Sequence, residues 1–289
     1  MVAAAEANHV FYKYSKLFET NKRLQISLVI TTYNRKDALE LVLLSVVRQR
    51  ILPFEVIIAD DGSGVDTKLL IDRFQKGFPI PLHHCWHEDQ GFRLSAIRNK
   101  AVCMASGEYI IMIDGDMVLP RSFIKAHKQN AWHGHFIQGS RVLMMKDKTN
   151  KILKRKETRI NFFASGIDNR MNAIESSLLS KLFSYYRTGL NNVRGANLSF
   201  WKDDLIKVNG FNEDFEGWGR EDSEFAVRME NQGIKRKHLK FAGFGYHLYH
   251  PENSRKQLPQ NDAILQETID KKLKRCDNGI SKKSVSRAA

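Results

Sequence analysis

The chain has 289 residues, 42% of them apolar, and a formal net charge of +14. That length can bury a full core in one large domain or two small ones. The longest apolar runs are five or six residues, far short of the roughly 20 that span a bilayer, so no membrane-spanning helix is expected. The positive excess implies an anionic partner: nucleic acid, acidic lipid headgroups, a nucleotide diphosphate or a polyanionic glycan.

Ile26-Ser27-Leu28-Val29-Ile30 reads as a strand and Thr31-Thr32-Tyr33-Asn34 as a polar turn. A helix over 35–50 follows, because Leu39, Val42, Leu43, Val46 and Val47 recur at helical spacing. A second strand, 54–59, breaks at Asp60-Asp61-Gly62-Ser63, and a helix over 66–76 is stopped by Gly77 and Pro79. A third strand near 82–86 leads to Gln90-Gly91-Phe92-Arg93 and then to a helix through Met104. The fourth, Tyr109-Ile110-Ile111-Met112-Ile113, runs into Asp114-Gly115-Asp116. Strand, loop and helix repeated in this order predict a parallel sheet with helices on its faces. The loops that follow its strands then line one edge together, where open α/β sheets bind their ligands.

Beyond Arg121 the pattern weakens. Residues 136–143 read as one strand, and 146–187 as a basic insertion with some helix; 146–159 alone carries seven Lys or Arg against two acids. A strand over 194–200, a short helix over 202–208 and a helix over 221–232 ended by Gly233 come next, then a helix over 263–273 and a loose tail. The expected organisation is an N-terminal extension (1–25), a nucleotide-binding half (26–140), a basic insertion or lid (141–192), a catalytic and acceptor-binding half (193–255), and a basic helix and tail (256–289). The N-terminus has neither a basic start nor a long apolar core, so no secretory signal is expected. Cys85, Cys103 and Cys276 are odd in number and widely spaced, which fits a reducing cytoplasm better than a disulfide framework.

Four clusters carry chemistry. Asp114 and Asp116 form an oxygen-rich patch at a strand end, suited to a hard divalent cation that bridges to phosphates; a solvated turn would use the same residues. Asp60 or Asp61 can accept hydrogen bonds from a ribose or a base, and Arg93 or Arg98 can neutralise phosphate. In Phe215-Glu216-Gly217-Trp218-Gly219-Arg220-Glu221-Asp222, two glycines let the backbone set a large ring beside a ligand. Aromatic faces pack on sugar rings, and an adjacent carboxylate serves as general base, although acids also favour helix starts. His247, in Gly245-Tyr246-His247-Leu248-Tyr249-His250-Pro251, is a candidate metal ligand. No Gly-x-Gly-x-x-Gly or Gly-Lys-Ser/Thr loop follows the first strand, which argues against dinucleotide and P-loop binding.

In this order, over roughly 26–253, the motifs resemble family 2 glycosyltransferases of the GT-A fold, with a C-terminal module similar to that of β-1,4-galactosyltransferases and bacterial chondroitin polymerases. The resemblance implies a Rossmann-like, mostly parallel central sheet flanked by helices, with an acceptor-binding C-terminal half. It implies an inverting hexosyltransferase that moves Gal, GalNAc, Glc or a similar sugar from a UDP-sugar to a glycan or lipid-linked glycan, forming a β-glycoside. Thr31, Tyr33 and Arg35 would lie near the uracil, with Asp60 or Asp61 on uracil or ribose. Arg93, Arg98, Asp114 and Gly115 would complete the donor site. Asp116 and His247, with His250 as a further ligand, would hold Mn²⁺ or Mg²⁺. Asp222 would be the base and Glu221 would hold a sugar, with Trp218, Gly219 and Asn197 near the acceptor or sugar. No specific nucleic-acid partner is expected and no oligomeric state follows. The basic tail is expected to rest on an anionic cytoplasmic membrane face. Two rivals stay open at this point: a metal-dependent nucleotidyltransferase, and a basic nucleic-acid or glycan-binding module without catalysis.

Overall fold

The computed structural model describes residues 24–190, 193–251 and 254–282. Most of the expected N-terminal extension and the last residues of the basic tail lie outside the described residues.

The first half follows the predicted alternation: β1 (Ile26–Thr32), α1 (Lys36–Val47), β2 (Glu55–Asp60), α2 (Val65–Gln75), β3 (Leu82–Trp86), α3 (Leu94–Met104) and β4 (Tyr109–Asp114). After these come β5 (Met117–Val118), α4 (Phe123–Gln129), β6 (His135–Gln138), β7 (Arg141–Met144) and α5 (Lys146–Arg155). The chain continues with β8 (Ile167–Asp168), a 3-10 turn, α6 (Ser177–Phe183) and β9 (Tyr185–Arg187). The C-terminal part holds β10 (Asn197–Trp201), α7 (Lys202–Lys207), α8 (Glu221–Asn231), β11 (Lys235–His238), β12 (Gly245–His247) and α9 (Leu258–Asp270).

An eight-stranded sheet has the order β3-β2-β1-β4-β10-β6-β11-β9. Its first four strands are parallel, while β10 runs antiparallel to both β4 and β6. The mostly parallel sheet expected is found: β11 runs parallel to β6, and the antiparallel pairs are those of β10 with its two neighbours and of β9 with β11. Successive strand side chains point to opposite faces, so β1 feeds two cores. Leu28 and Ile30 pack with Leu39, Val42 and Val46 of α1, whereas Val29 packs with Ile97, Ala101 and Val102 of α3 and Phe225 of α8. Burial on both faces is why these strands read as unbroken apolar runs.

The single strand expected over 136–143 is two strands in two sheets. β6 stays in the large sheet, and β7 joins a four-stranded sheet of order β5-β12-β7-β8. The chain crosses over at Gly139, where a Cβ would lie 2.2 Å from Asn197 Nδ2. That amide donates to Ser140 O (3.1 Å) and Gly243 O (2.8 Å), fastening the crossover to the loop before β12.

The tail is not loose as far as Lys282. Asn209 Nδ2 donates to Cys276 O and Ser281 O, both at 2.9 Å, and its Oδ1 accepts from Ser281 N at 2.8 Å. Cys276 is buried, and the three cysteines are free thiols. Among the described residues no helix is long and apolar enough to cross a membrane.

Candidate active site

The loops after β1, β2 and β3 are tied to one another. Asn34 N donates to Ser63 Oγ (2.8 Å), Gly64 N to Asn34 Oδ1 (2.9 Å), and Tyr33 Oη to Asp89 Oδ2 (2.9 Å). Asp60 is buried with one oxygen on Ser63 N and the other on His84 Nε2. Asp61 faces His87 Nε2 at 2.6 Å and accepts from Arg93 N at 3.0 Å, and burial raises its pKa. The Arg93 guanidinium donates to Glu88 O.

The turn after β4 carries the acids to the same edge. Gly115 N donates to Thr31 O at 2.6 Å, and a Cβ there would lie 2.5 Å from that oxygen, so the approach of the two loops requires glycine. Asp114 accepts from Thr31 Oγ1 at 3.1 Å and lies 3.5 Å from Arg98 Nη2. Arg98 is 1% exposed and its Nη1 reaches Glu221 at 3.3 Å. Of the two arginines expected to offer one for phosphate, Arg98 is the one that bridges Asp114 to Glu221.

Asp116, His247 and His250 converge, their ligand atoms lying within 4.8 Å of one another. His247 Nε2 is 3.5 Å from Asp116 Oδ1, and His250 Nε2 is 3.7 Å from Oδ2. Asp116 Oδ1 is buried and has no hydrogen-bond partner among the described residues. Burial lowers the His247 pKa, which keeps the ring neutral and able to donate a lone pair. A buried carboxylate with one orphaned oxygen, set against two imidazoles, fits a divalent cation. Arg35, expected near the uracil, is found here, its Nη1 2.6 Å from Asp116 Oδ2 and its Nη2 on Tyr249 O.

Glu221 and Asp222 open α8. Asp222 Oδ2 accepts from Gly195 N and Oδ1 from Ser223 N, both at 2.6 Å. Burial first, and the neighbouring Asp222 second, push the Glu221 pKa up to about 7; burial also raises that of Asp222. Gly219, at φ +108°, turns the chain beside Trp218, which is 39% exposed with the Arg255 guanidinium over its ring. Asn197, expected at the acceptor or sugar, is 2% exposed and serves the crossover described above.

Asp114, Asp116, Asp222, Glu221 and His247 thus share one neighbourhood at the ends of β4, β12 and α8. Residues 27–193 match the family model described as Glycosyl transferase family 2. The chain belongs to that family. Residues 179–251 also match the model described as the N-terminal domain of galactosyltransferase.

Among its relatives, this family 2 glycosyltransferase is 25% identical over 263 residues to a chondroitin synthase of Pasteurella multocida, covering 80% of this chain and 25% of that protein. It is 26% identical to a chondroitin synthase of Escherichia coli, covering 72% of this chain and 32% of that one. A validoxylamine A glucosyltransferase of Streptomyces hygroscopicus subsp. limoneus is also 26% identical, with 72% of this chain and 48% of that protein covered. The chain thus spans about a quarter to a half of these relatives' lengths. Staphylococcus aureus TarS in complex with UDP-GlcNAc superposes with a TM-score of 0.58 at 15% identity, over 85% of this chain and 66% of that one. A mannosyltransferase of Pyrobaculum calidifontis in complex with GDP-Man and Mn²⁺ gives 0.54 at 18%, over 87% and 67%. These likenesses establish the GT-A fold.

Sequence reasoning missed Arg141, the first residue of β7. It lies close enough to Asp114, Asp116 and Asp222 to feel each of their charges, and is half-buried with its Nε unpartnered. Its signal was the Gly139-Ser140 break just before it, which has meaning only once β7 is seen beside β12.

Proposed function

We propose that the chain transfers a hexosyl or hexosaminyl unit from a UDP-sugar to an alcohol of a glycan or lipid-linked glycan, with inversion at the anomeric carbon. One observation carries the proposal: a one-carboxylate, two-imidazole cluster adjoins the Glu221 and Asp222 carboxylates, the first buried and the second half-buried, and Arg98 and Arg141 sit among their charges. TarS bound to UDP-GlcNAc supports a UDP-sugar donor, and the synthase relatives support a glycan acceptor.

Asp116, His247 and His250 would hold the cation, and two imidazoles favour Mn²⁺ over Mg²⁺. When bound, that cation supplies Lewis-acid neutralisation of the departing diphosphate. Asp222 removes the proton of the acceptor hydroxyl as its oxygen bonds to the anomeric carbon; the bond to UDP breaks and its electron pair leaves on the phosphate oxygen. No covalent enzyme intermediate is needed. The Gly195 and Ser223 amides hold the Asp222 carboxylate in place. Its raised pKa strengthens it as a base, in the range where general bases contribute about 10²- to 10⁴-fold. Glu221 and the Trp218 face orient sugar. Arg141 adds fixed positive charge on the donor side.

Asp222→Asn is expected to abolish Mn²⁺-dependent UDP release while UDP binding persists. Unchanged turnover in that variant would remove Asp222 from the role, and release of pyrophosphate instead of UDP would favour nucleotidyl transfer.

A further inference from the structure

A cavity of about 380 Å³ opens at the far end of the β5/β12 ladder from the Asp116 cluster. Asp116 precedes β5, whereas Leu119 and Pro120 follow it and line the cavity with Phe244 and Tyr246. Four residues of extended chain separate Asp116 from Pro120, about 13 Å, so this is a different place from the cation cluster.

Four arginines are among its lining residues, Arg48 half-buried and Arg50, Arg121 and Arg159 exposed. Arg48 comes from the end of α1, Arg50 from just beyond, Arg121 from the segment after β5 and Arg159 from the insertion. Arg50 N donates to Arg121 O at 2.7 Å, which pins two of these segments, and Arg48 Nη1 donates to the Thr158 hydroxyl. None of the four makes an ion pair among the described residues, and the acid that also lines the cavity, Glu175, accepts from the Ser122 hydroxyl. Burial lowers the Arg48 pKa, and Arg159 and Arg121 lower it further by repulsion. Guanidinium does not shed its proton in a protein, so such repulsion is relieved by an anion and not by titration.

We propose that this cavity is an anion-binding site for a phosphate or diphosphate group carried on an apolar or sugar moiety. Several forks converging from separate segments suit a multiply charged tetrahedral oxyanion better than a single carboxylate. Leu119, Ile160, Phe162 and Phe244 also line the cavity and offer apolar surface to the group that carries it. The volume lies in the range of small-molecule pockets, about 300 to 1,000 Å³. Nothing in this site depends on Asp222 acting as a base.

The test is calorimetric titration of inorganic pyrophosphate into the full chain in EDTA at physiological salt. Saturable binding at one site is expected, weakened about tenfold or more in Arg48→Gln/Arg121→Gln, as loss of charge-assisted hydrogen bonds implies. It should be unchanged in His247→Ala. Arg159→Gln, on an exposed segment, weakens binding in the same direction and keeps the test valid if the double variant melts early. A parallel titration with geranyl diphosphate separates the sources: tighter binding than pyrophosphate assigns the site to a lipid-borne diphosphate, and equal binding to a free or sugar-borne one. Absence of saturable binding, or equal affinity in the wild type and Arg159→Gln, would overturn the proposal and leave only the diffuse attraction of a +14 chain.

Discussion

At the scale of single residues, burial and charge at Glu221 make a prediction with a definite sign. A carboxyl whose folded pKa exceeds its unfolded value holds its proton more tightly in the native state. The stability it contributes is full below the unfolded value of about 4.3 and is lost as pH rises to about 7. Glu221→Gln removes that dependence. Measured by urea denaturation without metal, wild type should lose stability relative to Glu221→Gln between pH 5 and pH 8; a constant gap would mean that the folded pKa is ordinary. The residues legible in the sequence here were those whose type and neighbours agree: acids at a strand end, and His247 with His250 beside a proline. The partners of Arg35 and Asn197 were not legible, because a polar side chain is defined by what folds against it. Arg35 meets Asp116, 81 positions away, and Asn197 meets Gly243, 46 away.

At the scale of elements, α8 carries both candidate catalytic acids, and its seat is a buried ion pair. Arg228 is 0% exposed, bonds both oxygens of Glu224 at 2.7 Å, and donates to Val208 O and Gly210 O. Removing one partner of a buried pair leaves an uncompensated charge, which costs about 3 to 5 kcal/mol. Arg228→Met should therefore unfold at markedly lower urea, and adding Glu224→Gln should restore part of the loss; equal midpoints for wild type and Arg228→Met would deny the pair this role. β1, β2 and β4, buried along nearly all their length, were readable because both faces demand apolar residues, whereas the edge strand β3 buries only Leu82 and Cys85. β11, Lys235-Arg236-Lys237-His238, was not, since its pairing with β6 and β9 is recorded in backbone hydrogen bonds and not in hydropathy. The packed tail escaped for the same reason: the Asn209 amide holds it, and no apolar period marks it.

At the scale of the whole molecule, the cation cluster draws its ligands from distant parts of the chain. Asp116 follows β4 of the large sheet, whereas His247 and His250 belong to the small sheet and the loop beyond it. A bound cation would link the two sheets at the edge where Asp222 sits. Asp116 Oδ1 is free to meet it, while Arg35 holds the other oxygen, Oδ2, at 2.6 Å. A ligand that binds only the folded state, at about 100 times its dissociation constant, stabilises by about 2.7 kcal/mol. In a chain of this size that corresponds to a rise of roughly 5 to 10 °C in melting temperature. Mn²⁺ is therefore expected to raise the melting temperature of the wild type, EDTA to reverse the rise, and His247→Ala to abolish it while retaining a similar metal-free melting temperature. An undiminished shift in His247→Ala would place the stabilising cation elsewhere and detach the metal from the proposed chemistry.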